Sequence, residues 1–232
     1  YPDIGSLLWA DCQKKMRKIE ADINLFATTP GLARHYCQFG GIFHALPLFF
    51  DHYEISHLEQ KSNVTVPKRI GIFGSQRIEK GYFHLEELVN ALKAQGYEII
   101  YQDTSAHKKR PSPPKGVEVL GFVDDLAAEM AKCDLVVTPY DAEQYRIAQS
   151  GIAINALSLG IPIIVPSNTH SARFSEPFSA SVIFENNVIV DILRAVERAA
   201  VDFPNLLLGA KKAQQHLLAK HGHANFIKAF IS

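Results

Sequence analysis

The chain has 232 residues, 47% of them apolar and 21% charged, enough for one large domain or one and a half with a full buried core. Lys+Arg and Asp+Glu are both 24, so the basic excess of a general nucleic-acid binder is missing, although a local basic pocket stays open. The three cysteines, Cys12, Cys37 and Cys133, lie far apart with no CxxC or His/Cys cluster, which speaks against zinc and fits a reducing, cytoplasmic compartment. There is no apolar run of about 18 residues, so no membrane-spanning helix is expected. The chain starts at Tyr1 without Met or a signal-peptide pattern, and a piece of a longer protein is expected.

In chain order, residues 6–21 have the spacing of an amphipathic helix. Ile23 to Ala27 is a short apolar strand, Thr29-Pro30 offers an N-cap and an N1 proline for a helix to about Gln38, and Phe43 to Leu48 is another short strand. Residues 51–67 are polar and without period, a linker. Regular alternation follows: strands at Arg69 to Gly74, Tyr97 to Tyr101, Val117 to Gly121, Leu135 to Pro139, Pro162 to Pro166 and Val182 to Phe184. Between them run helices at Gly81 to Gln95, Asp124 to Lys132 and Ser150 to Gly160, with closing helices at Val188 to Val201 and Asn205 to Lys220. The pattern predicts an α/β fold with a doubly wound, parallel, Rossmann-like sheet. The expected organisation is 1–50 as the end of one domain, 51–67 as linker, 68–220 as the sheet domain and 221–232 as a C-terminal helix or tail.

In an open parallel sheet, ligands sit at the carboxyl ends of the strands. Two loops there carry the unusual polar residues. In Gly74-Ser75-Gln76-Arg77-Ile78-Glu79-Lys80-Gly81 the glycines allow close backbone approach, and Arg77 and Lys80 suit a phosphate; the plainer alternative is solvated charges paired with Glu79. It is neither a GxGxxG fingerprint nor a P-loop. In the second loop, Ser150-Gly151 opens a helix whose free amides suit an anion, or simply N-caps it. Asn155, one turn inside an otherwise apolar helix, needs a partner, which a ligand hydroxyl or a backbone carbonyl could supply. Asp141, Glu143, Tyr145 and Arg146 crowd the preceding loop, where a carboxylate either holds sugar hydroxyls or faces water. The ten histidines show no metal spacing, and Lys108-Lys109-Arg110 is a solvated basic run rather than a nucleic-acid patch.

From Arg69 to about Lys220 the order of motifs resembles the donor-binding half of a GT-B glycosyltransferase, close to the large retaining family 4 (group 1). The resemblance rests on Gly74 to Gly81, on Val117-Glu-Val-Leu-Gly-Phe-Val123 with the acidic helix after it, on Cys133-Asp-Leu-Val-Val-Thr-Pro-Tyr140, and on Asn155-Ala-Leu-Ser-Leu-Gly-Ile-Pro-Ile-Ile164. Residues 1–50 look like the end of the acceptor half. Two departures stand out. The family's pair of Glu residues spaced eight apart is replaced by Ile147 and Asn155, and Arg77 is three rather than five residues before Lys80. The loop instead resembles a subgroup with Pro-Tyr-Asp, a Tyr, then Ser-Gly at the helix start.

The resemblance implies binding of a UDP- or GDP-linked sugar as donor substrate and transfer to a glycan or lipid-linked acceptor with retention. No metal and no further cofactor are expected, and no nucleic-acid partner. It implies catalytic roles for Arg77, Lys80 and Glu143 and donor contacts at Gly74, Ser75, Phe122, Val123, Tyr145, Ser150, Gly151 and Asn155. Bacterial polysaccharide synthesis and peripheral membrane association through the missing half follow family habit. A second reading is a non-catalytic binding or assembly module, which the lost Glu pair favours. A third is a sugar-nucleotide epimerase, which would need carboxylates and His from outside the chain.

Overall fold

The structure is a computed structural model that describes residues 15, 25–38, 42–46, 65–74, 77–81, 84–104 and 115–231. The expected helix at 6–21, apart from helical Lys15, lies outside these residues, as do most of the linker, Ser75, Phe83 and the basic run at 108–110. The chain divides into two compact units, residues 1–50 with 220–232, and residues 51–219.

In the first unit, strands β1 (Leu25–Ala27) and β2 (Phe43–Ala45) pair in parallel around helix α1 (Pro30–Cys37). Thr29 caps α1 as expected, its hydroxyl accepting from Leu32 N at 3.0 Å with Pro30 in the first turn. The C-terminal helix α8 (His223–Ile231) belongs to this unit.

The second unit is built on one sheet. Its strands are β3 (Arg69–Ile72), β4 (Glu98–Gln102), β5 (Val117–Leu120), β6 (Leu135–Val137), β7 (Ile163–Pro166) and β8 (Ser181–Phe184). The spatial order is β5-β4-β3-β6-β7-β8, every pair parallel. Parallel neighbours need crossovers, and those described are the helices α2 (Leu85–Ala94), α3 (Leu126–Ala131), α4 (Gly151–Ser158) and α5 (His170–Ser175), the one from β4 to β5 running through residues outside the described set. Helices α6 (Ile189–Val201) and α7 (Phe203–Lys220) close the chain.

The central strands are buried on both faces, so they read as continuous apolar runs. Ile70, Ile72, Leu135, Val137 and Ile164 join Leu88 and Leu92 of α2 and Ile192, Ala195 and Val196 of α6 in one core cluster. By the period of two, Val136, Ile163 and Val165 face the other way, toward the side where α4 packs on β7. At the amino edge of the sheet, the buried Asp134 carboxylate accepts from Lys68 N at 2.8 Å and Arg69 N at 2.9 Å, pinning the start of β3 beside β6.

Three elements differ from expectation. Helix α2 starts at Leu85, not Gly81, because a 3-10 turn at Ile78–Lys80 ends in Gly81 with φ of 79°. Helix α7 starts at Phe203, two residues early, since Pro204 is harmless in a first turn whose amides need no acceptor. The six-residue α5, capped by Thr169 through Ala172 N at 3.2 Å, has too few apolar positions to show a period. The helix expected to end at Gly160 does so: α4 ends in a Schellman turn, with Gly160 at φ of 71°, its N–H on Leu157 O at 3.0 Å and Ile161 N on Ala156 O at 2.9 Å.

Replacing Asp134 with Ala strands two backbone donors at the start of β3. A loss of about 2–3 kcal/mol of stability is expected in urea unfolding, with Asp134→Asn retaining part of it.

Candidate active site

The strand order reverses direction between β3 and β6: the chain proceeds from β3 to β4 and β5 on one side, and from β6 to β7 and β8 on the other. The crevice outside the carboxyl ends of β3 and β6 is therefore the topological switch point, where such sheets bind ligands. The two polar loops singled out in the sequence both meet there.

They are locked together by backbone. Asp141 N donates to Glu79 O at 2.8 Å, joining the loop after β6 to the 3-10 turn after β3. A Cβ on Gly81 would lie 2.2 Å from Pro139 O, so only glycine permits this approach, and its left-handed φ adds a second reason. From the far side, Asn187 Nδ2 donates to the same Pro139 carbonyl at 3.2 Å.

The cations lie on this junction. Arg77 Nε pairs with Glu79 at 2.9 Å; its side chain is 56% exposed and lies beside that of Tyr145. Lys80 Nζ stands 5.5 Å above the centroid of the Tyr140 ring, and an added Cβ at Gly74 would come within 3.0 Å of it. Burial, then the neighbouring Arg77 charge, pull the Lys80 ammonium below its usual pKa, with Glu79 acting in the opposite sense. The anion-seeking groups are thus partly desolvated, which strengthens their field.

Helix α4 supplies the other wall. The buried Ser150 hydroxyl accepts from Ala153 N at 3.2 Å and its carbonyl from Ile154 N at 3.1 Å. The amides of Gly151 and Ile152 are left without an intrahelical acceptor, at the positive end of the dipole. A Cβ on Gly151 would meet nothing within 4 Å, so there is room beside the start of this helix. The Ser150 side chain itself serves as the N-cap, the plainer of its two sequence readings. The loop leading into α4 is held by His170 N on Tyr145 O at 2.9 Å and by Arg173, which donates to Asn168 O at 2.9 Å and to Arg146 O. Burial and the Arg173 charge lower the pKa of His170.

A third part of the rim is tied in by the buried Gln102 at the end of β4. Its Oε1 accepts from Gly74 N at 3.0 Å and its Nε2 donates to Gly121 O at 3.3 Å, so one amide spans the ends of three adjacent strands. Just beyond, Phe122 is 86% exposed on the same edge.

The structure thus brings Gly74, Arg77, Lys80, Tyr145, Ser150 and Gly151 to one crevice. Phe122 and Val123 stand two strands away at the end of β5, and Ser75 lies outside the described residues. Glu143 has its side chain 81% exposed and pairs with Arg146 at 3.3 Å. Asn155 is half-buried rather than enclosed, and its side-chain amide makes no hydrogen bond among the described residues. Tyr140, Gln102 and Asn187 carry no role in the sequence reading. A polar or aromatic residue directly after a buried strand was the available signal for the first two. Among the described residues, no three His, Cys, Asp or Glu side chains gather in a way that would hold a metal ion.

Residues 67–202 match the family model described as Glycosyl transferases group 1, over half of the chain. The chain belongs to this family. Over 103 residues it is 31% identical to the UDP-N-acetylglucosamine–N-acetylmuramyl-(pentapeptide) pyrophosphoryl-undecaprenol N-acetylglucosamine transferase of Methylibium petroleiphilum, covering 43% of this chain and 27% of that one. Among solved structures it is similar to Anabaena Alr3699/HepE in complex with UDP and glucose, with a TM-score of 0.68 at 17% identity over 90% of this chain and 61% of that one. TarM of S. aureus, in a complex with UDP among other ligands, gives 0.69 at 15% identity, with 90% and 43% covered. A glycosyltransferase from Rickettsia africae gives 0.69 at 9% identity, with 90% and 62% covered. These glycosyltransferases share the GT-B fold, and the described sheet is its Rossmann-like half. No helix among the described residues is long and apolar enough to cross a membrane.

Gly81→Ala puts a methyl group against Pro139 O in a left-handed conformation. It is expected to cost about 2–4 kcal/mol and to loosen the junction of the two loops, read as a lower Tm and faster amide exchange at Asp141.

Proposed function

We propose that this chain is the donor-binding part of a glycosyltransferase that uses a UDP- or GDP-linked sugar. The observation carrying this reading is the convergence, at the switch point, of Arg77, the half-buried Lys80 and the amides of Gly151 and Ile152, which have no acceptor within their helix. Three sources of positive potential meet at one crevice, and the acid between the two cations, Glu79, is engaged by Arg77. Such a site suits a diphosphate. As the bond between the sugar and the diphosphate breaks, negative charge grows on the leaving oxygens, and preorganised donors stabilise the transition state more than the ground state. Two cations and a helix terminus supply the charge that a divalent metal supplies elsewhere, which supports a metal-independent reaction.

The remaining roles come from the family resemblance: Glu143 or Tyr145 for the sugar, Asn155 for the ribose, and the main chain near Phe122 and Val123 for the base. Gly74 lends space rather than its amide, which Gln102 holds. Retention is implied by the resemblance to the retaining family. UDP is the first choice of nucleotide, because the HepE and TarM complexes contain it and the Methylibium relative is a UDP-sugar enzyme by name. The acceptor, a glycan or lipid-linked one, would be held by parts of the protein beyond this chain, which also would carry any peripheral membrane contact. A bacterial cytoplasmic setting in polysaccharide synthesis completes the proposal.

Titration calorimetry of the chain with UDP, GDP and ADP tests the reading, with binding of UDP or GDP expected. In the full-length protein, Arg77→Ala and Lys80→Met are each expected to lower kcat/KM by roughly 10²–10³-fold, about 2.7–4 kcal/mol, while circular dichroism stays that of the parent. No affinity for any nucleoside diphosphate, with undiminished turnover in Arg77→Ala, would leave the fold as an assembly module, the alternative that Asn155 in place of Glu favours.

A further inference from the structure

Tyr140 sits at the centre of the junction, directly after β6, and only 3% of it is exposed. Its ring has Lys80 Nζ 5.5 Å from its centroid, and the Tyr145 ring leans on it with centroids 4.5 Å apart. Its hydroxyl is buried without a hydrogen-bond partner: it lies beside the Ser150 hydroxyl but lacks bonding geometry with it. The contacts of this residue are therefore those of its ring.

We infer that Tyr140 is a positioning residue of the donor site, its ring being the floor that holds the Lys80 ammonium where the diphosphate charge develops. The role rests on the donor-site reading above. The physical case concerns what can hold a lysine without spending its charge. A carboxylate under Lys80 would fix it but neutralise it, and phosphate would then compete with an ion pair. Glu79, the acid whose charge acts on Lys80, is taken by Arg77. An aromatic face attracts the cation through its quadrupole and leaves the net charge in place. It also removes rotamer freedom from a long side chain before the ligand arrives, which lowers the entropy cost of binding. The floor is itself braced: Tyr145 packs on Tyr140, and the Tyr145 carbonyl is held by His170 N.

The test is UDP titration of the full chain with substitutions at 140. Tyr140→Leu is expected to bind UDP about 3- to 30-fold more weakly, and Tyr140→Phe to restore the affinity that leucine loses. Because leucine alters packing as well, a series of shape-conserving phenylalanines with increasing ring fluorination is read beside it. Affinity should fall stepwise as the ring quadrupole weakens, and the fall should vanish in a Lys80→Met background. A flat series, or an equal fall in both backgrounds, on a parent that binds UDP overturns the role of Tyr140 alone. A parent with no affinity for nucleoside diphosphates overturns the donor-site reading and this role together.

Discussion

The contact between the 3-10 turn after β3 and the strand end after β6 is the constraint on which the rest of the site depends. A parallel sheet guarantees that the two loops leave from the same edge, but not that they touch. Touching requires that Gly81 carry no side chain against the Pro139 carbonyl, and that Asp141 N reach Glu79 O. Once both hold, Arg77 and Lys80 are fixed relative to the entrance of α4. The starting points of the two long side chains are then set by backbone, the stiffest part of the protein, and Glu79 and the Tyr140 ring restrict where their charged ends lie.

Electrostatics follows from that placement. Arg77 and Lys80 repel one another, and burial adds to the cost of keeping Lys80 charged. Such a pair is tolerated because Glu79 offsets one charge and the Tyr140 ring faces the other. A site assembled this way is less stable empty than filled with an anion, which is the form binding energy takes when it is stored in the protein beforehand. Amides at the start of α4 act in the same direction without any like-charge penalty, since their partial charges come from peptide dipoles already aligned.

Much of this was legible in the sequence for a simple reason. Strands buried on both faces leave continuous apolar runs, and most helix stops in this unit carry a glycine or a proline nearby, so the chain order of the six strands could be read from apolar runs and punctuation. Gly160 marked the end of α4 correctly because its left-handed turn is a local requirement. Gly81 was misread as the start of a helix because its reason is not local: it answers to Pro139, far along the chain. Gln102 shows the same limit. As a polar residue closing a strand it was visible, but its two bonds reach Gly74 and Gly121 on neighbouring strands, and no window of sequence holds all three. Asn155 was read as enclosed from its apolar neighbours, yet helix α4 turns that one position outward.

Asn155 and Tyr140 together explain how the site departs from the usual pattern of the family without losing its logic. A second Glu at position 155 would place a negative charge on the same helix whose positive end faces the crevice. With the neutral Asn, whose amide makes no hydrogen bond among the described residues, nothing on α4 opposes the potential set up by Arg77, Lys80 and the first two amides of the helix. On the loop before it, Asp141 caps Gln144 N and Glu143 pairs with Arg146. Positive potential in this crevice is therefore greater than a Glu pair would leave it, with Arg77 held by the Glu79 carboxylate and Lys80 facing the Tyr140 ring.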